Sequence, residues 1–173
     1  FLADEEKSLS SELRTIQAQV AIIPCHVAGH EEALSYAALI KEVAPSCLVV
    51  LAGTHATFDP ELALESTVDA VCVGEADQAL VELCNAVAAG KDWRTGPNLA
   101  FDDHGLQQTE KLALIADLDN LPMPHRDLYF RYEFMARFPW KKFSTGRGCV
   151  HACSFCWNPS VAQMYTGKTP FTR

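Results

Sequence analysis

The residues with the richest chemistry in this 173-residue chain are three cysteines within eight positions: Cys149, Cys153 and Cys156, here called the clustered cysteines. Three thiolates this close together can hold three irons of a cubane cluster and leave the fourth iron without a protein ligand. A structural zinc site needs four ligands, so His151 or a distant residue would have to complete it. A redox dithiol would use only two of the three. Spacing alone leaves these chemistries open.

The other four cysteines (Cys25, Cys47, Cys72 and Cys84) stand singly among apolar residues, as buried thiols do. The seven together do not form the pattern of a secreted disulfide framework, so we expect a reducing cytoplasm. The chain is 49% hydrophobic and 21% charged, which is typical of a globular protein and excludes disorder. No apolar run is long enough to predict a membrane span.

Charge is divided unevenly along the chain. Residues 1–119 carry 6 basic and 20 acidic side chains, a net charge of −14, whereas residues 120–173 carry 8 basic and 2 acidic ones, a net charge of +6. This division predicts a boundary near residue 120 and argues against nucleic acid as a partner of the first part. The basic part is either a solvated face or a surface for an anionic cofactor or a neighbouring domain.

The elements that position these residues alternate between helices and short apolar strands, which predicts βαβ units and a parallel sheet. Helices are predicted at 5–18, 31–43 and 77–89, and strands at 20–24, 47–52 and 70–73. The first strand is expected to be buried on both faces. Because no strand precedes the first helix, we expect the amino-terminal part of the sheet to be missing.

Three further elements are predicted from local signals. Asp59 as an N-cap and Pro60 at the first helical position predict a short helix that ends near Ser66. Residues 99–102 and 107–110 are predicted to form a small hairpin. Residues 142–145 are predicted to form a strand that leads into a flexible Gly146–Gly148 loop and then into the clustered cysteines.

Three loops follow the three predicted parallel strands: Cys25–Val27, Gly53–His55 and Gly74–Glu75. Ligands of open α/β sheets bind beyond the carboxyl ends of the strands, so these loops are expected to line one binding edge. Glycine in such loops lets the backbone approach a large flat ring or a nucleotide tail.

The segment around the clustered cysteines resembles the cluster loop of the radical S-adenosylmethionine (SAM) enzymes. That family uses Cys-x3-Cys-x2-Cys, usually with an aromatic residue before the last cysteine, here Phe155, and the flanks Ser144–Cys149 and Cys156–Pro159 match as well. The resemblance implies that the clustered cysteines ligate a [4Fe-4S] cluster whose open iron binds SAM. One electron then cleaves SAM to a 5′-deoxyadenosyl radical. The implied partners are a small-molecule substrate and a one-electron reductant of the flavodoxin or ferredoxin type.

A second resemblance covers the upstream part of the chain. Ala52–Thr57 (AGTHAT), Val68–Glu75 (VDAVCVGE) and Leu118–Pro124 (LDNLPMP) are similar to the cobalamin-binding domain and linker that precede many radical SAM barrels. This subfamily includes corrinoid methyltransferases and the anaerobic cyclase of bacteriochlorophyll synthesis. The resemblance implies cobalamin as a cofactor. The residues placed to contact it are Cys25, His26, Gly53, Thr54, His55, Gly74 and Glu75.

Together these observations predict an α/β chain. A flavodoxin-like (Rossmann-like) cobalamin-binding domain, truncated at its start, occupies 1–115, a linker occupies 116–140, and the first strand and cluster loop of a radical SAM barrel occupy 141–173. The expected function is that of a cytoplasmic, cobalamin-dependent radical SAM enzyme, with methyl transfer to an unactivated centre as its reaction and no catalytic residue assigned. One alternative is a radical SAM oxidative cyclase or rearrangement enzyme. Another is a non-enzymatic corrinoid- or zinc-binding module. The chain on its own is expected to be inactive.

Overall fold

The structure is a computed structural model that describes residues 2–165 and 171–173. The chain divides into two compact units, Phe1–Leu112 (the amino-terminal unit) and Ala113–Arg173 (the carboxyl-terminal unit). The amino-terminal unit consists, in chain order, of α1 (Leu2–Ile16), β1 (Val20–Pro24), α2 (His30–Val43), β2 (Leu48–Ala52), α3 (Thr54–Phe58), β3 (Ala70–Cys72), α4 (Asp77–Ala88), β4 (Leu99–Asp102) and β5 (Leu106–Gln108).

These strands form one five-stranded sheet in the order β1-β2-β3-β4-β5. The first three strands are parallel, as predicted. The predicted hairpin does form, but it continues the same sheet antiparallel to β3, with Cys72 paired to Leu99. The sheet is therefore mixed rather than purely parallel, and the predicted α/β fold is confirmed.

The core lies around the interior strands β2 and β3, which are buried on both faces. Val49, Val50 and Leu51 of β2 have no exposed surface, and neither do the residues of β3. On one face, Leu83 of α4 packs into a cluster that includes Phe101 of β4. This burial of apolar surface is the dominant stabilising contribution to the unit.

The prediction that β1 is buried on both faces was wrong. Ile23 is buried, but Ile22 is 43% exposed. Among the described residues β1 pairs only with β2, so it forms the edge of the sheet. An apolar run of five residues does not reveal whether a strand lies at the centre or at the edge.

The predicted short helix after Asp59 is a 3-10 turn over Pro60–Leu64, and the Asp59 side chain makes no capping hydrogen bond. A helical turn that the sequence did not predict, α3, starts directly after Gly53. The chain therefore turns back onto the sheet immediately after β2, and Ala56 and Thr57 of α3 are buried.

The carboxyl-terminal unit contains the 3-10 turn Leu118–Asn120 and three helices: α5 (Asp127–Phe130), α6 (Glu133–Arg137) and α7 (Asn158–Met164). In its described part, only Leu114 and Val161 are buried, and many large apolar side chains are exposed. No described helix is long and apolar enough to cross a membrane.

The predicted strand at 142–145 does not form. The sheet of the described chain contains no strand that pairs with it, and an unpaired strand leaves its backbone groups to solvent. Next to it, Arg147 and Arg173 exchange two backbone hydrogen bonds, with N–O distances of 2.7 and 3.0 Å. A Cβ atom on Gly148 would collide with the Phe171 carbonyl oxygen, so this position needs glycine for close backbone approach.

Candidate functional site

The loops after β1, β2 and β3 lie side by side at one edge of the sheet. The strand register places Pro24 beside Ala52 and Ala52 beside Cys72, so the three strands end level with one another. Gly53, Thr54, His55, Gly74 and Glu75 are half-buried there. The structure thus brings together the loops that the sequence predicted as a binding edge.

The first two loops are held against each other through Cys25. Its N–H donates to the Ala52 carbonyl at 2.7 Å, and its own carbonyl accepts from the His55 N–H at 3.1 Å. Gly53 has a φ of +130°, and a Cβ atom there would lie 2.6 Å from the Cys25 carbonyl oxygen. Glycine at this position is therefore required by the contact between the loops.

The Cys25 thiol does not reach the edge, because the residue has no exposed surface. Burial raises the pKa of this thiol, an effect opposed by a backbone hydrogen bond from Ala56. Cys25 was predicted as a cofactor contact. The structure gives it a packing role, and its backbone groups already bond within the protein.

Three histidines lie in or next to the first two loops. His26 Nδ1 and Thr54 Oγ1 lie 3.2 Å apart, within hydrogen-bonding distance. The His55 ring lies 4.6 Å from the His30 ring, centroid to centroid, and its Nε2 is 3.7 Å from a carboxylate oxygen of Asp59. The predicted contacts His26, Thr54 and His55 are thus neighbours, and His30, which was not predicted as a contact, joins them.

The third loop is fixed by two buried polar side chains. The Thr57 hydroxyl donates to the Gly53 carbonyl at 2.8 Å and accepts from the Gly74 N–H at 3.1 Å. Asn98 Nδ2 donates to the Glu75 carbonyl at 2.8 Å. Gly74 has a φ of +94°, which glycine adopts without strain.

Sequence reasoning gave no role to Thr57 or Asn98. Thr57 lies inside the AGTHAT motif, but nothing local indicates that its hydroxyl reaches a loop 17 residues further on. Asn98 is a polar residue directly before an apolar strand, and that is the signal that could have drawn attention to it. It is only 2% exposed, so a buried side-chain amide must find its partners within the protein.

A large flat cofactor such as cobalamin fits the chemistry of this edge. Two glycines with positive φ bring backbone to the edge without a side chain in the way, and half-exposed polar groups flank them. The edge residues able to contact cobalamin are His26, Gly53, Thr54, His55, Gly74 and Glu75.

The clustered cysteines form a second candidate site, in the carboxyl-terminal unit. All three are free thiols; Cys153 is exposed and the other two are half-buried. The amide nitrogen of Asn158, at the start of α7, lies 3.6 Å from the Cys156 sulfur. Three thiols are a donor set that fits an iron–sulfur cluster. No three His, Cys, Asp or Glu side chains of the described residues converge on one point as metal ligands. The three thiol donors are therefore present, but their sulfur atoms are not arranged around a common metal position.

Comparison with known proteins relates the amino-terminal unit to a family of cofactor-binding domains. Residues 3–84 match the family model described as the B12 binding domain. The amino-terminal unit is thus similar to B12-binding domains over most of its length. The matched residues include β1, β2, β3 and the three loops at the edge, and the predicted resemblance to cobalamin-binding radical SAM proteins is confirmed.

Curated relatives of this chain include enzymes of two kinds. An uncharacterized methyltransferase of Pyrococcus horikoshii is 31% identical over 129 residues, covering 72% of this chain and 28% of the relative. The anaerobic magnesium-protoporphyrin IX monomethyl ester cyclase of Cereibacter sphaeroides is 32% identical over 166 residues, covering 87% of this chain and 26% of the relative. The chain thus spans little more than a quarter of the length of either relative.

Solved structures share the fold of this chain at low sequence identity. The radical SAM methyltransferase TsrM from Kitasatospora setae, with tryptophan substrate and a SAM analogue bound, superposes with a TM-score of 0.65 at 17% identity, over 92% of this chain and 34% of TsrM. TsrM with cobalamin and a [4Fe-4S] cluster bound gives a TM-score of 0.61 at 15% identity, with the same coverage.

Proposed function

We propose that this chain belongs to a cobalamin-dependent radical SAM enzyme that transfers a methyl group to an unactivated centre. The observation that carries the proposal is the presence, on one chain, of a B12-binding domain at 3–84 and of the Cys-x3-Cys-x2-Cys motif that starts at Cys149. The methyltransferase relative and the fold shared with TsrM support the same reaction class.

The residues of the chain take distinct parts in this proposal. The clustered cysteines hold three irons of the cluster, and the exposed Cys153 is the most accessible of them. His26, Thr54, His55 and the two edge glycines line the cobalamin site. When bound, the cluster supplies one electron for SAM cleavage, and cobalamin supplies a carrier for the methyl group. A small-molecule substrate and a flavodoxin- or ferredoxin-type reductant are the expected partners, in the cytoplasm.

A second candidate is an anaerobic oxidative cyclase. The cyclase relative aligns with 87% of this chain, a longer stretch than the methyltransferase relative does. A cyclase would use the same cluster chemistry with a different outcome for the substrate. The two candidates differ in what becomes of the methyl group of SAM.

The products of SAM separate these candidates. The gene product that contains this chain would be reconstituted anaerobically with iron, sulfide and hydroxocobalamin, reduced, and given SAM. Release of both S-adenosylhomocysteine and 5′-deoxyadenosine supports the methyltransferase, because methyl transfer from SAM leaves the former and radical cleavage the latter. Only 5′-deoxyadenosine supports the cyclase. If neither S-adenosylhomocysteine nor 5′-deoxyadenosine is released, the radical SAM assignment is overturned.

The matched variants for this experiment are Cys153→Ala and Cys47→Ala. Cys153 is one of the clustered cysteines, whereas Cys47 is a buried thiol of the amino-terminal unit that is 1% exposed. The first variant is expected to release neither product, and the second is expected to behave as the unmodified protein does.

A further inference from the structure

The Gly74–Glu75 loop is held by hydrogen bonds from two buried side chains, Thr57 and Asn98. Thr57, in α3, is 7% exposed, and Asn98, at the start of β4, is 2% exposed. Because β4 runs antiparallel to β3, its first residues lie beside the last residues of β3, at the same edge as the loop. One of these side chains thus precedes the loop in the sequence, and the other follows it.

Hydrogen bonds from Thr57 and Asn98 engage three successive backbone positions, two of them through side chains. The backbone carbonyl of Asn98 accepts from the Val73 N–H at 2.7 Å, and the Thr57 hydroxyl accepts from the Gly74 N–H at 3.1 Å. The Asn98 side-chain amide then donates to the Glu75 carbonyl at 2.8 Å. The path of the loop past the end of β3 is therefore fixed residue by residue.

Asn98 is itself anchored, so that it can act as a support. Its Oδ1 accepts from the Leu112 N–H at 2.6 Å, and its own N–H donates to the Glu110 carbonyl at 3.0 Å. Its φ is +59°, a left-handed conformation that asparagine tolerates better than most residues. An amide with both its donor and its acceptor engaged holds one orientation.

The Thr57 hydroxyl links two loops rather than one. It donates to the Gly53 carbonyl, at the end of β2, while it accepts from Gly74, after β3. A single oxygen atom thus bridges the two glycines of the edge, in addition to the pairing of Ala52 with Cys72 that brings the two strand ends together.

We propose that Thr57 and Asn98 are positioning residues for cobalamin: without touching it, they hold the Gly53 and Gly74–Glu75 loops in the arrangement that binds it. This inference rests on the proposed function. A preorganised edge binds its ligand without having to order the loops at the moment of binding, and loss of that order appears as weaker affinity.

Variants of Thr57 test this inference in the gene product that contains the chain, with hydroxocobalamin as the probe and its absorbance as the signal. Thr57→Val removes the hydroxyl and keeps the shape. The Gly53 carbonyl keeps the Thr57 N–H as a donor, whereas the Gly74 N–H loses its acceptor, so the Kd is expected to weaken by about five- to tenfold, the effect of roughly one lost hydrogen bond. Thr57→Ser keeps the hydroxyl and is expected to restore affinity to near that of the unmodified protein. Asn98→Asp replaces the amide donor with an acceptor that the Glu75 carbonyl repels, and is expected to weaken binding as well.

The matched control is Thr109→Val. The Thr109 hydroxyl also joins backbone groups, accepting from the Leu99 N–H at 2.9 Å and lying 3.3 Å from the Leu99 carbonyl, but it touches neither of the two loops. It is expected to lower the free energy of unfolding and leave the Kd unchanged. Amide exchange of the Gly74 N–H, measured alongside, is expected to be faster in Thr57→Val, and it provides a second measurement if that variant is too unstable to titrate.

The outcomes are distinguishable. If the unmodified protein binds hydroxocobalamin and Thr57→Val binds it equally well, the positioning role is overturned while the proposed function stands. If Thr109→Val loses as much affinity as Thr57→Val, the effect is one of general stability, and the positioning role is again overturned. If the unmodified protein does not bind hydroxocobalamin, the proposed function itself fails.

Discussion

Gly53 and Cys25 approach each other so closely that a Cβ atom on Gly53 would lie 2.6 Å from the Cys25 carbonyl oxygen. That carbonyl already accepts the His55 N–H, so it is not free to move aside. A side chain at position 53 therefore meets the protein's own backbone before it meets any ligand. Substitution of this glycine therefore tests the contact between the loops after β1 and β2 more than the space left for a cofactor.

Gly53→Ala is expected to lower the free energy of unfolding by about 1–3 kcal/mol, because the new Cβ clashes and φ at +130° becomes strained. Cobalamin affinity is expected to fall with it, since the loops after β1 and β2 must shift. Urea denaturation measures the stability. Gly29→Ala is the control, since no atom lies within 4 Å of a Cβ there and its φ is −134°. Equal stability of Gly53→Ala and the unmodified protein would contradict the close contact.

Native thiol labelling is expected to separate the cysteines by burial. Cys25 and Cys72 have no exposed surface, whereas Cys153 is exposed. Burial also raises the pKa of Cys25, which keeps it in the unreactive thiol form. Brief iodoacetamide treatment at pH 8 of protein free of iron is therefore expected to modify Cys153 first, as read by peptide mass spectrometry. Labelling of Cys72 as fast as Cys153 would show that the core of the sheet is open.

Cys72 is expected to make stability depend on alkaline pH. Burial, with a smaller contribution from Asp77, raises the pKa of this thiol from 9.0 to about 12. Between these values the unfolded chain loses the thiol proton while the folded chain keeps it. The free energy of unfolding contributed by this group is therefore fully present below pH 9 and falls by up to about 1.4 kcal/mol per pH unit above it.

The comparison that isolates this effect is Cys72→Ala. The variant is expected to lose about 1 kcal/mol or more at neutral pH, because it leaves a small cavity in the core, but to show a shallower decline above pH 9. Parallel declines of the two proteins would mean that Cys72 does not titrate differently on folding.

The parts of the fold predicted from sequence are those in which local pattern and tertiary environment agree. The run that contains Leu51 is apolar because β2 is central, and the run around Val71 is apolar for the same reason. In α4, Leu83 is buried among apolar neighbours at helical spacing, so periodicity located the helix to within one residue. Glycines after β2 and β3 indicated the edge correctly.

The remaining features depend on neighbours that a linear sequence does not display. Ile22 is exposed because β1 has a partner on one side only among the described residues, although its run resembles that of an interior strand. Residues 142–145 have a strand-like composition but no pairing partner in the described chain. Asn98 acquires its role only when β4 pairs antiparallel to β3 and places the amide beside Glu75.

The 173-residue chain is expected to show no SAM cleavage, because its carboxyl-terminal unit buries few side chains. Its described residues include only two buried side chains, Leu114 and Val161, and its aromatic residues such as Trp140 and Phe155 are 75% and 91% exposed. So little buried surface does not hold a catalytic site in place. The 173-residue chain, supplied with iron, sulfide, SAM and a strong reductant, is expected to yield no 5′-deoxyadenosine. Its detection would show that the chain already contains a complete site.

The metal and corrinoid content of the gene product that contains this chain tests the central claim most directly. After anaerobic reconstitution and desalting, the protein is expected to hold roughly four irons with acid-labile sulfide, as for a cubane cluster, together with bound cobalamin. Cys153→Ala is expected to lose the iron and keep the cobalamin, whereas Cys47→Ala keeps both. Zinc in place of iron, full iron in Cys153→Ala, or no corrinoid in the unmodified protein would contradict the assignment.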